Sequence, residues 1–376
     1  MAGIYIHIPF CKKKCNYCNF YSVASSRHVE DFEIALLKEI DLRKNYLDGE
    51  PIETIYFGGG TPSLLTYDAL MKIFEKLQQT FIISPNAEIT IEANPDNLDS
   101  KKIKELRSSP VNRLSIGIQS FFDNDLIYLN RVHNSAQAEA SVKRSQDEGF
   151  ENISIDLIYG IPTLTDEKWS ENLSISFGLD VPHISAYGLT IEPKTALETL
   201  IRKGKAQPAD EDQSIRQYEI LMKEMKENNF IHYEISNFCK EGYISKHNSN
   251  YWKGLKYLGL GPSAHSYDQN SRQWNAADLL AYLNDIMSGN VSGEKDILTE
   301  SDKFNEYIMT SLRTMWGCDL NFLEKTFGKE FRNQVLKNAE KYFEKEEMIN
   351  IDDALKLTDK GKLFADGIAA ELFIDG

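Results

Sequence analysis

Six short segments in the first half of the chain carry the hydrophobic pattern of buried β-strands. Each is rich in β-branched or aromatic residues and ends at glycine, proline or a polar residue. The segments are GIYIHIPF (3–10), ETIYFGGG (53–60), EITIEANP (88–95), RLSIGIQS (113–120), NISIDLIYGIP (152–162) and HISAYGLT (183–190). Amphipathic helical patterns separate them, at residues 29–47, 66–80, 99–108, 135–149 and 166–178. Strand and helix thus alternate with a period of roughly 30 to 40 residues, which is typical of βαβ units around a parallel sheet.

Periodicity alone does not distinguish an open parallel sheet from a barrel. Polar residues and glycines, however, gather in or just after the carboxyl-terminal half of the strands, where barrels build their active sites. These residues are Gly58 to Gly60, Glu92, Asn94, Gln119, Ser120 and Asp156. Because the six βα units are fewer than the eight of a complete barrel, we expect an α/β fold with a partial TIM-type (β/α)6 barrel, open on one side.

After residue 190 the alternation of strands and helices ends, and we expect an extension of the barrel domain, a linker and a C-terminal domain. A helix predicted at 210–229, a loop region dense in aromatic residues and a helix near 276–288 form an aromatic-rich extension (191–287) of the barrel domain (1–287). The small, polar segment SGNVSGEKD (288–296) predicts a linker. Residues 297–376 predict a small C-terminal helical domain, with helices at 301–316, 319–326 and 329–345 and a short extended pair near 350.

Composition and charge narrow the class of protein. A hydrophobic share of 41% with 26% charged residues is ordinary for a globular protein. The net charge of −15 disfavours a broad contact with a phosphate backbone, so we expect no nucleic-acid partner. No run approaches the roughly 20 apolar residues of a membrane span, and no secretion signal is present. We therefore expect a cytoplasmic protein whose membrane contact is at most peripheral.

Three of the five cysteines lie in the segment CKKKCNYC (11–18). A disulfide framework is disfavoured by the odd number and by a reducing compartment. The spacing C-x3-C-x2-C brings three thiolates from one loop close enough to share an iron–sulfur cluster. Zinc is the main alternative, but a structural zinc site needs a fourth ligand, and His7 could supply it only by folding back across its own strand. The third alternative is an accident of composition.

The cysteine loop, with the aromatic Tyr17 before its last cysteine, resembles that of the radical S-adenosylmethionine (SAM) superfamily. This resemblance implies a [4Fe–4S] cluster on Cys11, Cys15 and Cys18, with SAM bound to the fourth iron. The glycines of YFGGGTPS (56–63) fit such a site, because they let a ligand approach the backbone, although a plain tight turn explains them equally well.

More narrowly, the chain is similar to the oxygen-independent coproporphyrinogen III oxidase group. The shared landmarks are IYIHIPFC, YFGGGTPS, IEANPD, RLSIGIQSF, LNRVH, DLIYGIP and HISAYGLTIEPKT. Taken singly, a buried Glu92 or Asp156 is as readily part of an internal salt bridge, because uncompensated burial is costly. The resemblance instead implies a SAM site lined by Tyr5, Tyr17, Gly60, Thr61, Glu92, Gln119, Arg131 and Asp156.

Two features depart from the oxidase pattern. Phe20 stands where the oxidase has a fourth cysteine, and the chain begins ten residues before Cys11, without the oxidase's long N-terminal extension. The segment HNSNYW (247–252) matches the H-N-x-x-Y-W motif of the sister branch, HemW, whose members act as heme chaperones. That resemblance implies heme binding at His247, since imidazole ligates heme iron and Tyr251 and Trp252 supply flat apolar surface.

Simpler interpretations remain for several of these residues. His247 could be only a packed residue of an aromatic loop, and His265 is a second candidate ligand. Cys239 and Cys318 are expected to be small buried hydrophobic residues without a role in the site.

The expected function is that of a heme chaperone that holds a [4Fe–4S] cluster, SAM and heme, receives electrons from a donor and delivers heme to an acceptor hemoprotein. The alternatives are an oxygen-independent coproporphyrinogen III oxidase and a zinc-stabilised binding module.

Overall fold

Six parallel strands, paired in chain order, form the centre of the molecule. A computed structural model describes residues 1–291 and 293–374. The strands are β1 (Ala2–Ile8), β2 (Ile52–Gly59), β3 (Ile83–Ala93), β4 (Arg113–Gln119), β5 (Ile153–Tyr159) and β6 (His183–Gly188). The helices among them are α1 (Val29–Leu42), α2 (Tyr67–Thr80), α3 (Ser100–Arg107), α4 (Asp123–Tyr128), α5 (Ser135–Asp147) and α6 (Asp166–Gly178). The predicted α/β class and (β/α)6 order are confirmed.

The strands place their apolar and polar residues on opposite faces. In β1, Ile4, Ile6 and Ile8 are fully buried in the hydrophobic core, whereas Tyr5 and His7 alternate with them and face inward. The other five strands repeat this arrangement. The interior of the barrel is therefore lined with polar side chains, which is unsuited to a packed core and suited to a ligand cavity.

Further strands extend this sheet at both ends. After α7 (Ala196–Arg202) and α8 (Glu211–Glu227), the antiparallel pair β7 (Ile231–Glu234) and β8 (Asn237–Cys239) continues it beyond β6. After α9 (Lys246–Trp252), strand β9 (Tyr257–Leu260) pairs in parallel with β1, and β10 (His265–Tyr267) and β11 (Ser271–Asn275) follow it. The prediction of an aromatic loop region was therefore wrong for these residues, because their strands depend on partners far away in the sequence.

The segment predicted as a linker contains a strand in its second half. After α10 (Leu279–Met287), strand β12 (Gly293–Ile297) pairs antiparallel with β11 at the end of the sheet. Backbone hydrogen bonds to a neighbouring strand stabilise this polar segment, although its side chains are mostly exposed. The sheet therefore has twelve strands, and no hydrogen bonds between β12 and β7 close it within the described ranges.

The C-terminal residues form a unit with a hydrophobic core of its own, around Phe304, Leu323 and Leu355. It contains α11 (Glu300–Leu312), β13 (Cys318–Asp319), α12 (Leu320–Phe327), α13 (Lys329–Glu344), β14 (Met348–Ile351), β15 (Ala354–Leu357), α14 (Asp359–Lys362) and α15 (Ala365–Glu371). The three strands form a small antiparallel sheet.

This C-terminal unit contacts both ends of the large sheet. Arg272 of β11 donates to Glu306 of α11 at 2.7 Å, and Glu234 of β7 forms a backbone bridge with Thr314, just after α11. The helix α11 therefore connects two regions of the sheet that do not pair with each other.

Among the residues described, no helix is both long and apolar enough to cross a bilayer.

Candidate functional site

A cavity of about 480 Å³ opens at the carboxyl ends of the parallel strands and extends into the barrel. Exposed residues of the cysteine loop (11–18) lie at its mouth, and buried residues such as Arg113 lie deep inside. All but two of the predicted site residues line it: Cys11, Cys15, Tyr17, Cys18, Gly60, Thr61, Glu92, Gln119, Arg131 and Asp156. Tyr5 and His247 are not among the lining residues.

Backbone and side-chain hydrogen bonds hold the cysteine loop against its neighbours. The Cys11 amide donates to the Val23 carbonyl at 3.0 Å, and the Asn16 amide donates to the Leu129 carbonyl at 3.1 Å. The Asn16 carbonyl in turn accepts from the amide of Leu197, in α7, at 2.8 Å. The loop is therefore fixed from three sides, and its cysteines stay free thiols at the cavity wall.

Two neighbouring side chains donate hydrogen bonds to the cysteine sulfurs. The Arg131 guanidinium donates from Nη1 to Cys15 Sγ at 3.2 Å, and the Thr61 hydroxyl donates to Cys11 Sγ at 3.6 Å. The Asn94 amide joins the two donors, since it accepts from Arg131 Nη2 at 2.7 Å and donates to Thr61 Oγ1 at 3.2 Å. Such donors stabilise negatively charged sulfur, as ligands of a metal cluster require.

Burial favours the neutral thiol form of two cysteines in the loop. Burial raises the pKa of the Cys11 thiol, and it raises the pKa of Cys18 to about 11. Both groups are therefore neutral at pH 7 unless a metal cation displaces the proton. In the described part of the chain, no three His, Cys, Asp or Glu side chains converge as the ligands of a single metal ion.

The candidate fourth ligand of a zinc site is engaged elsewhere. His7 is 3% exposed, and its Nε2 lies 2.8 Å from the carbonyl oxygen of Tyr21. Its Nδ1 lies 3.2 Å from the Tyr5 hydroxyl. Both ring nitrogens therefore have partners within the barrel wall.

The glycines at the end of β2 are required by close packing against β1 and the segment after it. Gly59 has a positive φ of 104°, and a Cβ there would lie 2.6 Å from the His7 ring. At Gly60 a Cβ would lie 2.7 Å from the Phe10 carbonyl oxygen. Packing alone thus explains the glycine run, and it also brings Gly60 and Thr61 to the cavity wall.

Two carboxyl groups with raised pKa values, those of Glu92 and Asp156, line the cavity. Glu92 accepts hydrogen bonds from the Tyr56 hydroxyl at 2.9 Å and the Gly59 amide at 3.2 Å. Burial, and then the charge of Asp156, raises the pKa of Glu92 to about 7. Burial raises the pKa of Asp156 to about 6, against the opposing effects of hydrogen bonding and of Arg113. Perturbed carboxyls of this kind in a cavity are typical of functional sites.

Gln119 occupies a strained position at the end of β4. Its φ of 69° is unusual for a residue other than glycine, and the pairing of β4 with β5 shifts register between Gly117 and Gln119. The irregularity turns the chain into the cavity, where the Gly117 carbonyl accepts from Arg131 Nη2 at 2.7 Å. Strain of this kind is common in binding sites, where it aims a side chain at a ligand.

Tyr5 lies behind the cavity lining. Its ring stacks on Tyr56, with centroids 6.1 Å apart, and also lies near His247, at 6.5 Å. Tyr5 therefore supports the lining residue Tyr56, and the structure does not bring it to the cavity surface.

His247 lies at the opposite end of the barrel from the cysteine loop. The ring is 2% exposed; its Nδ1 lies 2.8 Å from Thr54 Oγ1 and its Nε2 lies 3.0 Å from the Tyr251 hydroxyl. Thr54 lies near the start of β2, whereas Gly60 follows its end, so the separation along the strand is about 20 Å. The structure thus does not unite His247 with the other predicted residues. His265 is exposed and stacks on Trp274 at the sheet's outer strands.

Sequence reasoning missed several residues of the cavity wall, most notably Arg113. The other missed residues of the wall are Tyr56, Ser115, Ser185 and Tyr187. All of them lie on the strands at positions that alternate with buried apolar residues, as in RLSIGIQ (113–119). The period-two pattern of each strand was a usable signal for them.

Comparison with known proteins identifies the family of the chain. The radical SAM superfamily profile matches residues 5–174, and the HemN C-terminal domain profile matches residues 298–364. The chain is 33% identical over 375 residues to the heme chaperone HemW of Bacillus subtilis, covering 98% of both chains. It is 32% identical over 377 residues to that of Mycobacterium tuberculosis H37Rv, covering 98% of this chain and 94% of the other.

A solved structure supports the fold. The coproporphyrinogen III oxidase HemN from Escherichia coli superposes with a TM-score of 0.85 at 22% identity, covering 99% of this chain and 90% of that one. The fold, the matched superfamily segment and the full-length similarity to relatives of one kind agree. The chain belongs to the HemW family of radical SAM proteins.

Proposed function

We propose that the protein is a cytoplasmic heme chaperone that carries a [4Fe–4S] cluster, binds SAM and delivers heme to acceptor hemoproteins. The observation that carries this proposal is the position of Cys11, Cys15 and Cys18 on one fixed loop at the wall of a polar cavity. Full-length similarity to proteins named heme chaperone HemW supports the heme part. Five free cysteines agree with a reducing compartment.

The residues around the cavity suit the chemical groups of SAM. Glu92 and Asp156 offer acceptors for ammonium and hydroxyl groups, and Gly60, Thr61 and Gln119 complete the wall. Arg131 holds the cysteine loop through Cys15 and positions Asn94 against Thr61. When bound, the cluster supplies the electron that cleaves SAM reductively. The surrounding side chains bind and orient SAM and keep bulk water from it.

We place heme at the HNSNYW segment, with His247 as the iron ligand. Burial, and then the charge of Arg113, lowers the pKa of His247 to about 3, so its ring is neutral, as a metal ligand must be. Ligation requires Nε2 to exchange the Tyr251 hydroxyl for iron. Because the His247 ring is buried, ligation of heme iron also requires α9 to move.

We also infer that an acidic electron donor docks beside the cysteine loop. Lys13 and Lys14 are exposed at the cavity mouth, while Lys12 is paired with Asp96 at 2.8 Å. Phe20 beside them is 63% exposed. Positive charge at this place contrasts with the net charge of −15, and such a patch steers a negatively charged partner.

The function is tested with anaerobically reconstituted protein. The protein is first loaded with heme by titration and is then mixed with an apo-hemoprotein. We expect the Soret band of the heme-loaded protein to decrease while the Soret band of the acceptor hemoprotein appears. In parallel, the protein is incubated with coproporphyrinogen III, SAM and dithionite. Formation of protoporphyrinogen IX would replace the chaperone proposal with the oxidase function. Zinc without iron or sulfide in natively prepared protein would contradict both.

A further inference from the structure

Arg113 is a buried cation deep in the cavity. It begins β4 and faces inward, and its side chain is among the largest that are almost fully buried, at 1% exposed. It lines the same cavity as the cysteine loop. Because Gln119 at the other end of β4 is six residues away, the two positions are about 20 Å apart. Arg113 thus belongs to a deeper part of the cavity than the cysteines.

In the described part of the protein, this guanidinium has no direct ion-pair partner. No carboxylate oxygen lies within ion-pair distance of it, no hydrogen bond reaches it, and its buried Nε lacks a partner. By contrast Arg43, the other well-buried arginine of the barrel, contacts Ser266, Gln273 and Glu39. A buried charge without a partner is strongly destabilising, so proteins rarely keep one without a function.

The titratable groups around Arg113 do not form an ion pair with it either. Asp156 is near enough for Arg113 to lower its pKa, but its oxygens accept hydrogen bonds from Ser115, and none lies within ion-pair distance of the guanidinium. His183 and His247, the histidines in the field of Arg113, have lowered pKa values because of burial and of this same charge. Arg113 therefore lies near Asp156 and two neutral histidines without a direct ion-pair partner.

We propose that Arg113 is the receptor for the carboxylate of a small molecule that binds deep in the cavity. A guanidinium matches the two oxygens of a carboxylate, with two parallel hydrogen bonds. Ser115, Ser185 and Asn248 line the cavity nearby and offer neutral polar contacts. A dianionic phosphate fits less well, because Glu92 and Asp156 share the cavity and repel excess negative charge.

This site goes beyond the proposed function, which places SAM at the cysteine loop and heme at His247 and assigns no ligand to Arg113. The carboxylate can come from SAM itself or from a second small acid. The two sources differ in where SAM lies: a SAM molecule held at the cysteine loop leaves Arg113 available for a second acid, and a SAM molecule lying deeper occupies it.

The test is thermal unfolding of the full-length protein with propionate as the probe, against chloride at equal ionic strength. We expect propionate to raise the Tm of the wild-type protein in a saturable manner, and to have no such effect on Arg113→Met. Arg113→Lys, which keeps the charge without the planar fork, should retain a weakened response. Equal responses of the wild type and Arg113→Met to propionate, or none in the wild type, would overturn the proposal. An equal response to phosphate would overturn the carboxylate assignment.

A second comparison separates ligand binding from a purely structural role. Without ligand, Arg113→Met should have an unchanged or raised Tm, because it removes an uncompensated charge. Arg43→Met serves as the matched control: it should lower the Tm, since it leaves Glu39 without its cation, and should keep the propionate response. A lowered Tm for Arg113→Met would assign it a structural role instead. Titrating SAM into protein saturated with propionate identifies the source: a weakened apparent affinity for SAM indicates SAM's own carboxylate, and an unchanged affinity indicates a second acid. Neither result depends on heme transfer.

Discussion

Arg131 donates a hydrogen bond from Nη1 to the Sγ of Cys15 at 3.2 Å, although 116 positions separate the two residues. A donor to a cluster sulfur favours the more negative, reduced state, so it raises the reduction potential. We therefore expect Arg131→Met to lower the potential of the reconstituted cluster, as measured by redox titration with EPR detection. Arg131→Lys, which keeps a charge at this place, should lower it less. An unchanged potential in both variants would contradict a role of this bond in the cluster.

The cysteines of the loop and those of the core should differ in their effect on iron content. We expect Cys11→Ala, Cys15→Ala or Cys18→Ala to lose nearly all of the about four irons per chain of a [4Fe–4S] cluster. Cys239→Ala and Cys318→Ala are matched controls, because both residues are fully buried outside the cavity. They should keep the iron, at a cost of about 1 kcal/mol in stability. Iron and sulfide analysis after anaerobic reconstitution measures both sets.

Tyr251 competes with heme iron for His247 if the proposed ligand is correct. The Tyr251 hydroxyl lies 3.0 Å from Nε2, and a hydrogen bond of this kind contributes about 1 kcal/mol. Tyr251→Phe should therefore bind heme about fivefold more tightly, whereas His247→Ala should lose the Soret band of the ligated heme. His265→Ala is the control and should bind as the wild type does. If all three variants bind heme equally, another residue is the ligand.

Glu92 should make the ligand-free protein less stable at alkaline pH. Its pKa is about 7 in the folded protein, above the value of about 4.3 for an exposed glutamate. Its contribution is fully present below the unfolded pKa and is lost as the pH rises through about 7. Glu92→Gln should thus raise the Tm at pH 8.5, by on the order of 1 kcal/mol in unfolding free energy, and have little effect at pH 4.5. The exposed Glu344→Gln should change neither, and a pH-independent effect of Glu92→Gln would contradict the assigned pKa.

The lysines of the cysteine loop should matter for reduction by a protein and not by a small molecule. We expect the double variant Lys13→Glu, Lys14→Glu to be reduced about tenfold more slowly by an acidic flavodoxin at low salt, because steering becomes repulsion. Dithionite should reduce it as fast as the wild type. A variant of the C-terminal unit, Lys325→Glu with Lys329→Glu, controls for net charge. Equal rates with flavodoxin for both variants would locate the donor elsewhere.

Local patterns in the sequence were sufficient for the six central strands and for part of the cavity wall. Cys11, Glu92 and Asp156 could be predicted to meet because parallel strands bring their carboxyl ends to one edge. The position of β9 beside β1 could not be predicted, since this pairing joins residues about 250 positions apart and leaves no periodic signal. For the same reason the sequence did not reveal that His247 lies at the amino ends of the strands.

The helix α9 also determines how molecules enter and leave. Asn248 belongs to this helix and lines the deep end of the cavity, whose mouth lies at the other end, at the cysteine loop. The cavity is therefore a blind passage as long as α9 stays in place. A ligand beside Arg113 therefore has to enter before the ligand at the cysteine loop does, and it can leave only after that ligand has left. Product-inhibition patterns should accordingly reveal a compulsory sequence of arrival and departure.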